Sequence, residues 1–266
     1  MLNYSFMRIA LLSAILVSIL LPLLGAPLVQ KRLSNTGDAL SHTSLLGVAI
    51  GLVCGFSTTL GAIIISILSS LLIEFIRRKF QKYAELSVVI VMSFAVGMVA
   101  ILSHFVSSGA SFSSYMFGSI TLIGINELII LIVLTIITLL FFIGFYRQIF
   151  YTSFNELQAR LDNVNVRLVN IILTVLSASV IAIASKTVGA LMVSSLMVIP
   201  YAASLQLTKS YKGSIIVSII IATISSVLGT TMSYYLDLPS GGVMVVISCI
   251  ILVISLIINQ VFKINK

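Results

Sequence analysis

Acidic residues are scarce in this chain: seven Asp and Glu stand against fifteen Lys and Arg among 266 residues, and charged residues make up only 8%. A soluble domain of this length needs a broad polar shell, because surface-to-volume scaling leaves it a large surface to cover. That shell is missing. So are the usual signatures of catalysis: there is no GxxxxGK[ST] loop to cradle a nucleotide, no HExxH pair, and no nucleophile set beside a base. Nothing supports enzyme chemistry by this chain itself. Cys54 and Cys249 lack a CxxC partner and lie in apolar runs, which predicts two small buried hydrophobes rather than a thiolate site. There is no internal repeat, and few acids lie within apolar segments, so the features expected of an ion-coupled secondary carrier are weak. A membrane-embedded hydrolase fares no better without a catalytic pair.

What is abundant is apolar: 59% of residues are hydrophobic. Lipid must be the solvent for most of the molecule. A spanning helix takes about 20 apolar residues, so roughly nine spans consume most of the chain and leave no room for a nucleotide-binding domain. The runs fall at 8–29, 37–55, 57–76, 86–106, 126–146, 167–185, 188–208, 213–236 and 240–262. This predicts an all-α, polytopic membrane protein of about nine helices, within a range of eight to ten, in one transmembrane domain over 1–266. The apolar stretch 11–24 is like a signal-peptide core, but further spans follow it, so it reads as a retained first helix. The weakest span is 37–55, which is short, Gly-rich and carries Asp38 and His42.

Basic residues set the orientation. With nine spans and the N-terminus outside, Arg8 and Lys186 are the only two of the fifteen on the outer side. The other thirteen, including Lys31, Arg32, Arg77, Arg78, Arg160 and Arg167, fall in the cytoplasm, as the positive-inside tendency requires. This retention explains the net charge of +8 without nucleic acid as a partner. The C-terminus is then cytoplasmic, and omitting span 37–55 would separate Lys31 and Arg32 from the Arg77 cluster. Segment 107–125 lies outside; segment 148–166, the longest polar stretch, lies in the cytoplasm. A short surface helix is expected near Phe154–Leu161, with Ser153 or Asn155 as its N-cap.

Asp38 and His42 are the residues with chemical content. Four apart on a helix, they project from one face a turn apart, and a carboxylate with an imidazole can share one divalent cation. An Asp at the centre of a span costs roughly 2.5–3.5 kcal/mol on insertion scales, and retained ionisable groups usually line a pathway. Taken alone, the pair fits equally well a first-turn Asp capping its helix near the interface, with His42 a packing residue. The same helix carries Gly47, Gly51 and Gly55, a small-xxx-small row that permits close approach of a neighbour on the face away from the pair. Elsewhere, His104 is expected to hydrogen-bond near the outer interface. Glu127 and Asp237 are expected as outer-surface acids open to a partner, Glu74 as a partner of Arg77 or Arg78, and Glu85 at the inner interface.

The segment KRLSNTGDALSHTSLLGVAIG resembles the R-R-x-S-x-x-G-D-A-x-S-H-A stretch of the zinc/manganese permease family of bacterial ABC importers. TVGALMVSSLMVIPYAASLQLTKSYKGS resembles that family's V-G-A-L-L-x-S-x-L-x-x-x-P-A-A-x-A signature. SYMFGSI is similar to its Y-L-F-G-x-x segment and FNELQARLDNVNV to its F-D-x-E-x-A-x-x-x-G-V segment. Order and spacing match over about 8–258, nearly the whole chain. Thr43, Asn155, Asn163 and Tyr201 depart from the pattern, which has Ala, Asp, Gly and a small residue there.

The resemblance implies the fold of the vitamin B12 and siderophore importer permeases without their first helix. It implies a multi-pass protein of the bacterial inner membrane that works as two permease copies with a dimer of cytoplasmic ATPase subunits, fed by an extracellular metal-binding protein. Asp38 and His42 match the family's pathway residues. Segment 154–166 would be the helix that couples to the ATPase, with Phe154, Asn155, Glu156, Gln158, Ala159 and Arg160 as its contacts. No cofactor would be held permanently; the metal is cargo, Zn²⁺ by the likeness of SYMFGSI and DLPSGG to zinc members, with Mn²⁺ the alternative.

Overall fold

A computed structural model describes residues 4–80, 83–105, 114–118 and 124–262. Its helices are α1 (Ser5–Gln30), α2 (Thr36–Cys54), α3 (Thr58–Lys79), α4 (Ala84–Ser103), α5 (Ile125–Gly144), α6 (Tyr146–Phe154), α7 (Glu156–Leu161), α8 (Val166–Val188), α9 (Ala190–Leu207), α10 (Tyr211–Leu236) and α11 (Ser240–Phe262). Among the described residues nine of these are long and apolar enough to cross a bilayer. They coincide with the nine expected spans; α6 and α7 form the polar excursion expected in the cytoplasm. Most of the outer segment 107–125 lies outside the described residues, apart from 114–118 and 124–125.

The last carbonyls of each helix have no partner within it and must be satisfied by the turn that follows. The turn after α1 does so by the Schellman pattern. Leu33 N–H donates to the Leu28 carbonyl at 2.8 Å and Arg32 N–H to that of Val29 at 3.0 Å, with Arg32 held at φ 59°. Pro22 and Pro27 are accommodated within α1, and Pro200 within α9. Neighbouring helices make this possible in spans where an isolated helix would break.

α8 is the most enclosed span and packs on α1, α2, α3, α5 and α9. α2 lies against α3 and α4 on one flank and α9 on the other, while α10 and α11 cover α1 and α9. The least covered helices, α4, α5 and α11, turn outward rows such as Val89, Ile90 and Phe94, or Val246, Ile250 and Val253. For these rows lipid is the counter-surface. The same reasoning corrects the cysteines: Cys54 and Cys249 are both exposed, because an apolar run in a membrane protein need not be buried in protein.

The α2–α3 contact is the closest approach of two helices that the glycine row suggested. A Cβ on Gly47 or Gly61 would overlap the carbonyl of the other, and one on Gly51 would lie 3.0 Å from Thr58 Cα. Gly55 has a different job. It meets nothing within 4 Å and terminates α2 in the left-handed conformation at φ 71°. Lys31, Arg32, Arg77, Arg78, Arg160 and Arg167 all line a single cavity of about 900 Å³, so these six cations gather in one place.

Candidate functional site

Asp38 stands in the first turn of α2, where a negative charge is favoured by the helix dipole. Its side chain does not cap the helix: the N-cap, Asn35, has no side-chain capping bond, and Asp38 Oδ1 instead accepts a 2.7 Å hydrogen bond from Ser194 Oγ of α9. The carboxylate is therefore oriented across the α2–α9 contact. That contact is close, since a Cβ on Gly37 would overlap the end of the Met197 side chain and touch Ser194 Cα at 3.5 Å. His42, one turn on, is half-buried like Asp38 and has no hydrogen-bond partner among the described residues.

Three of the four hydroxyls of α2 are already used. Ser41 donates to the Gly37 carbonyl at 2.8 Å, Thr43 to that of Leu40 at 3.0 Å, and Ser44 pairs with Ser185 at 2.9 Å. Among the described residues no third His, Cys, Asp or Glu joins Asp38 and His42. Two protein donors with open positions suit a cation that must be released again, whereas four fixed ligands make a closed structural site. Ser194 was not among the expected site residues, although it occupies the serine of the V-G-A-L-L-x-S-x-L signature.

The polar segment between α5 and α8 folds as two helices broken at Asn155, which is extended at φ −152°. Asn155 is the N-cap of α7, its Oδ1 accepting from Leu157 N–H at 3.0 Å and Gln158 N–H at 3.2 Å. Asn thus caps where the family pattern has Asp. Ser153 is committed to the Ile149 carbonyl at 2.6 Å. At the other end Asn163 takes the left-handed position, φ 57°, of a second Schellman turn, with Val164 N–H donating to the Ala159 carbonyl at 3.0 Å. A glycine and an asparagine are the two residues that position tolerates best, which accounts for that departure. Tyr201 is also absorbed: it is fully buried and accepts a 2.8 Å hydrogen bond from Gln30 Nε2.

Of the residues expected to meet an ATPase, Phe154, Asn155, Gln158 and Arg160 are exposed, while Ala159 is buried against the permease body. Leu157 and Leu161, a turn apart and 74% and 83% exposed, present an apolar pair not anticipated from sequence. Glu156 points inward. Its Oε1 accepts from Asn170 Nδ2 at 3.0 Å and lies 3.6 Å from Arg77 Nη2 and 3.9 Å from Lys31 Nζ. Lys31 also donates to Asn170 Oδ1. Burial pushes the Lys31 ammonium down to about 8, against the opposing pull of Glu156. Glu74 pairs with both candidates, Arg77 at 3.4 Å and Arg78 at 3.5 Å.

The outer end is built differently. Glu127, expected to be open to a partner, is engaged: it accepts from Thr59 Oγ1 at 2.9 Å, from Lys186 Nζ at 3.1 Å and from Gly124 N–H at 3.0 Å. Lys186 is itself buried and donates to Thr59. Beside it the α8–α9 junction is clamped. A Cβ on Gly189, held at φ 95°, would overlap the Phe117–Gly118 backbone, and one on Gly241 would overlap the Val188 carbonyl. SYMFGSI, TVGALM and DLPSGG, far apart in sequence, thus meet at one point. Asp237 remains exposed, and so does His104, edge-on to Phe105 with ring centroids 5.6 Å apart.

The sequence profile of the ABC 3 transport family matches residues 3–259. The chain is 34% identical over 264 residues to the "Probable metal transport system membrane protein" of Treponema pallidum, covering 98% of each. It is 28% identical to the manganese transport system membrane protein MntC of Listeria monocytogenes, over 96% of this chain and 91% of the relative. It is 27% identical to the high-affinity zinc uptake system membrane protein ZnuB of Buchnera aphidicola, over 92% and 94%. Among solved structures, PsaBC from Streptococcus pneumoniae in complex with a Fab superposes with a TM-score of 0.84 at 26% identity, covering 95% of this chain and 91% of that one.

Proposed function

The chain belongs to the ABC 3 transport family, and on that footing we propose that it is the membrane permease subunit of an ATP-binding-cassette importer that takes up a divalent metal ion, with Zn²⁺ as cargo. The observation that carries this reading is the Asp38 carboxylate, oriented by Ser194 from a second helix, with His42 a turn above it. An oxygen and a nitrogen donor with free coordination positions suit a passing cation. Family membership sets aside the ion-coupled carrier and the hydrolase.

In this mechanism an extracellular binding protein docks on the outer end around the exposed Asp237 and Leu238, beside the buried 186–188 junction. The ion enters a path between two permease copies and is held briefly by Asp38 and His42. ATP binding by the cytoplasmic ATPase pair, seated on the exposed face of α7, moves the helices as rigid bodies and exchanges outer for inner access. Hydrolysis belongs to those partners. The zinc preference rests on the imidazole, on the SYMFGSI and DLPSGG likeness, and on the zinc-named relative. Mn²⁺ is the second reading, supported by the manganese-named relative and by the two oxygen groups at the site.

Uptake by the complex of permease, ATPase and binding protein in liposomes tests this directly. ATP-dependent uptake of Zn²⁺ above Mn²⁺ is expected, abolished by Asp38→Ala or His42→Ala while the complex assembles and hydrolyses ATP. Equal uptake of the two metals removes the zinc preference. Undiminished uptake in both single variants discards the site, and no ATP-dependent uptake of either metal discards the function.

A further inference from the structure

α7 is a helix of six residues whose packing is mainly on α6 and α8. Its strongest attachment to the rest of the bundle is one carboxylate oxygen. Glu156 Oε1 lies against donors from three other places: Lys31 in the α1–α2 link, Arg77 at the end of α3, and Asn170 on α8. Asn170 completes the ring by accepting from Lys31 while donating to Glu156. The link is short, Lys31 to Asn35, and Asp38 follows in the first turn of α2.

The chemistry of Lys31 makes this ring difficult to open. Its side chain is 7% exposed, so its ammonium is already stripped of most of its water. Carrying Glu156 away would leave a buried cation facing Arg77 with only Glu74, already shared by Arg77 and Arg78, as counter-charge, an unfavourable state. A displacement of α7 is therefore accompanied by the link that starts α2, and by α3, which Arg77 holds at its last turn and which Gly61, in its first turn, locks to Gly47 of α2 in backbone contact. Both routes converge on the helix that carries Asp38 and His42.

We infer that Glu156 is a positioning residue, the joint through which movement of α7 reaches α2 by way of Lys31, Asn170 and Arg77. This rests on the reading of the chain as an ATP-driven permease, and it assigns Glu156 to the permease interior rather than to contact with the ATPase.

The test uses the full complex in lipid, with three readouts: basal ATP hydrolysis, its acceleration by metal-loaded binding protein, and metal uptake. For Lys31→Met, basal hydrolysis and zinc affinity are expected to stay within about twofold of the parent, while acceleration is lost and uptake falls at least about tenfold, the scale of ordinary coupling energies. Glu156→Gln lowers uptake similarly, and the double variant falls no further than the worse single one, because both break the same joint. If Lys31→Met does not assemble, Asn170→Ala is measured in its place. Uptake within about twofold of the parent in the single variants, or additive losses in the double one, overturns the joint. So does a fall in basal hydrolysis and complex yield that matches the fall in uptake, since that assigns the ring to assembly. Parent complex that transports normally while the variants also do so leaves the permease function standing and removes only the joint; parent complex that transports no metal removes both.

Discussion

A buried lysine faces a glutamate at each end of this bundle, and the two pairs are built for opposite purposes. At the outer end Lys186 and Glu127 are 3.1 Å apart with side chains 5% and 17% exposed, and Glu127 is further held by Thr59 and by the backbone of its own helix start. At the inner end Lys31 and Glu156 are 3.9 Å apart, and the Glu156 side chain is 38% exposed. The outer pair ties together the ends of long spans beside glycine-locked backbone. The inner pair ties a six-residue helix to the link before α2. A closed pair stabilises; a half-open pair on a small element is suited to transmit movement.

The largest expected effect separates these roles. Lys186→Met leaves Glu127 largely buried without its cation and should destabilise the protein by about 3 kcal/mol, seen as a lower thermal midpoint of the purified complex. Folded molecules of that variant should still transport. Glu156→Gln should cost less, about 1 kcal/mol, because glutamine keeps an acceptor oxygen for Asn170, Glu74 remains near Lys31 and solvent screens the partly exposed carboxylate, yet it should lose uptake. An inner variant that melts early and transports well, or an outer variant that does the reverse, would break the contrast.

Smaller effects sharpen it. Ser194→Ala removes the hydroxyl that orients Asp38 but leaves both proposed donors, so metal affinity should fall roughly tenfold in equilibrium titrations, as is usual when a group behind a ligand is lost. Loss as complete as in Asp38→Ala would make Ser194 a donor itself. The smallest effect belongs to Asn163. Glycine there should be neutral or stabilising by less than about 1 kcal/mol, whereas valine, forced to a positive φ, should cost about 1–2 kcal/mol. The check is again the melting midpoint, with uptake unaffected by Asn163→Gly.

The spans were legible in the sequence because bilayer thickness constrains them independently of tertiary contacts. Local chemistry was legible too: Asn155 caps α7, and Glu74 pairs with Arg77 and Arg78 at helical spacing. What could not be read were relations between distant segments. The partnership of Lys186 with Glu127 joins residues 59 positions apart, and that of Ser194 with Asp38 joins residues 156 apart. Hydropathy assigns each to a span or an end, but only helix packing decides what it faces. Gly55 shows the complementary limit: the repeat of glycines was real, yet its last member stops the helix instead of packing it. Cys54 and Cys249 were misplaced because apolar surroundings in sequence do not separate protein from lipid.

X-ray absorption at the zinc edge, on the assembled complex loaded with zinc below the concentration of permease, reads the donors of the cargo directly. One imidazole nitrogen with the remainder oxygen, and loss of the imidazole signal in His42→Ala, is the result expected for an ion held between Asp38 and His42. A spectrum without imidazole, with sulfur donors, or unchanged by His42→Ala would contradict it.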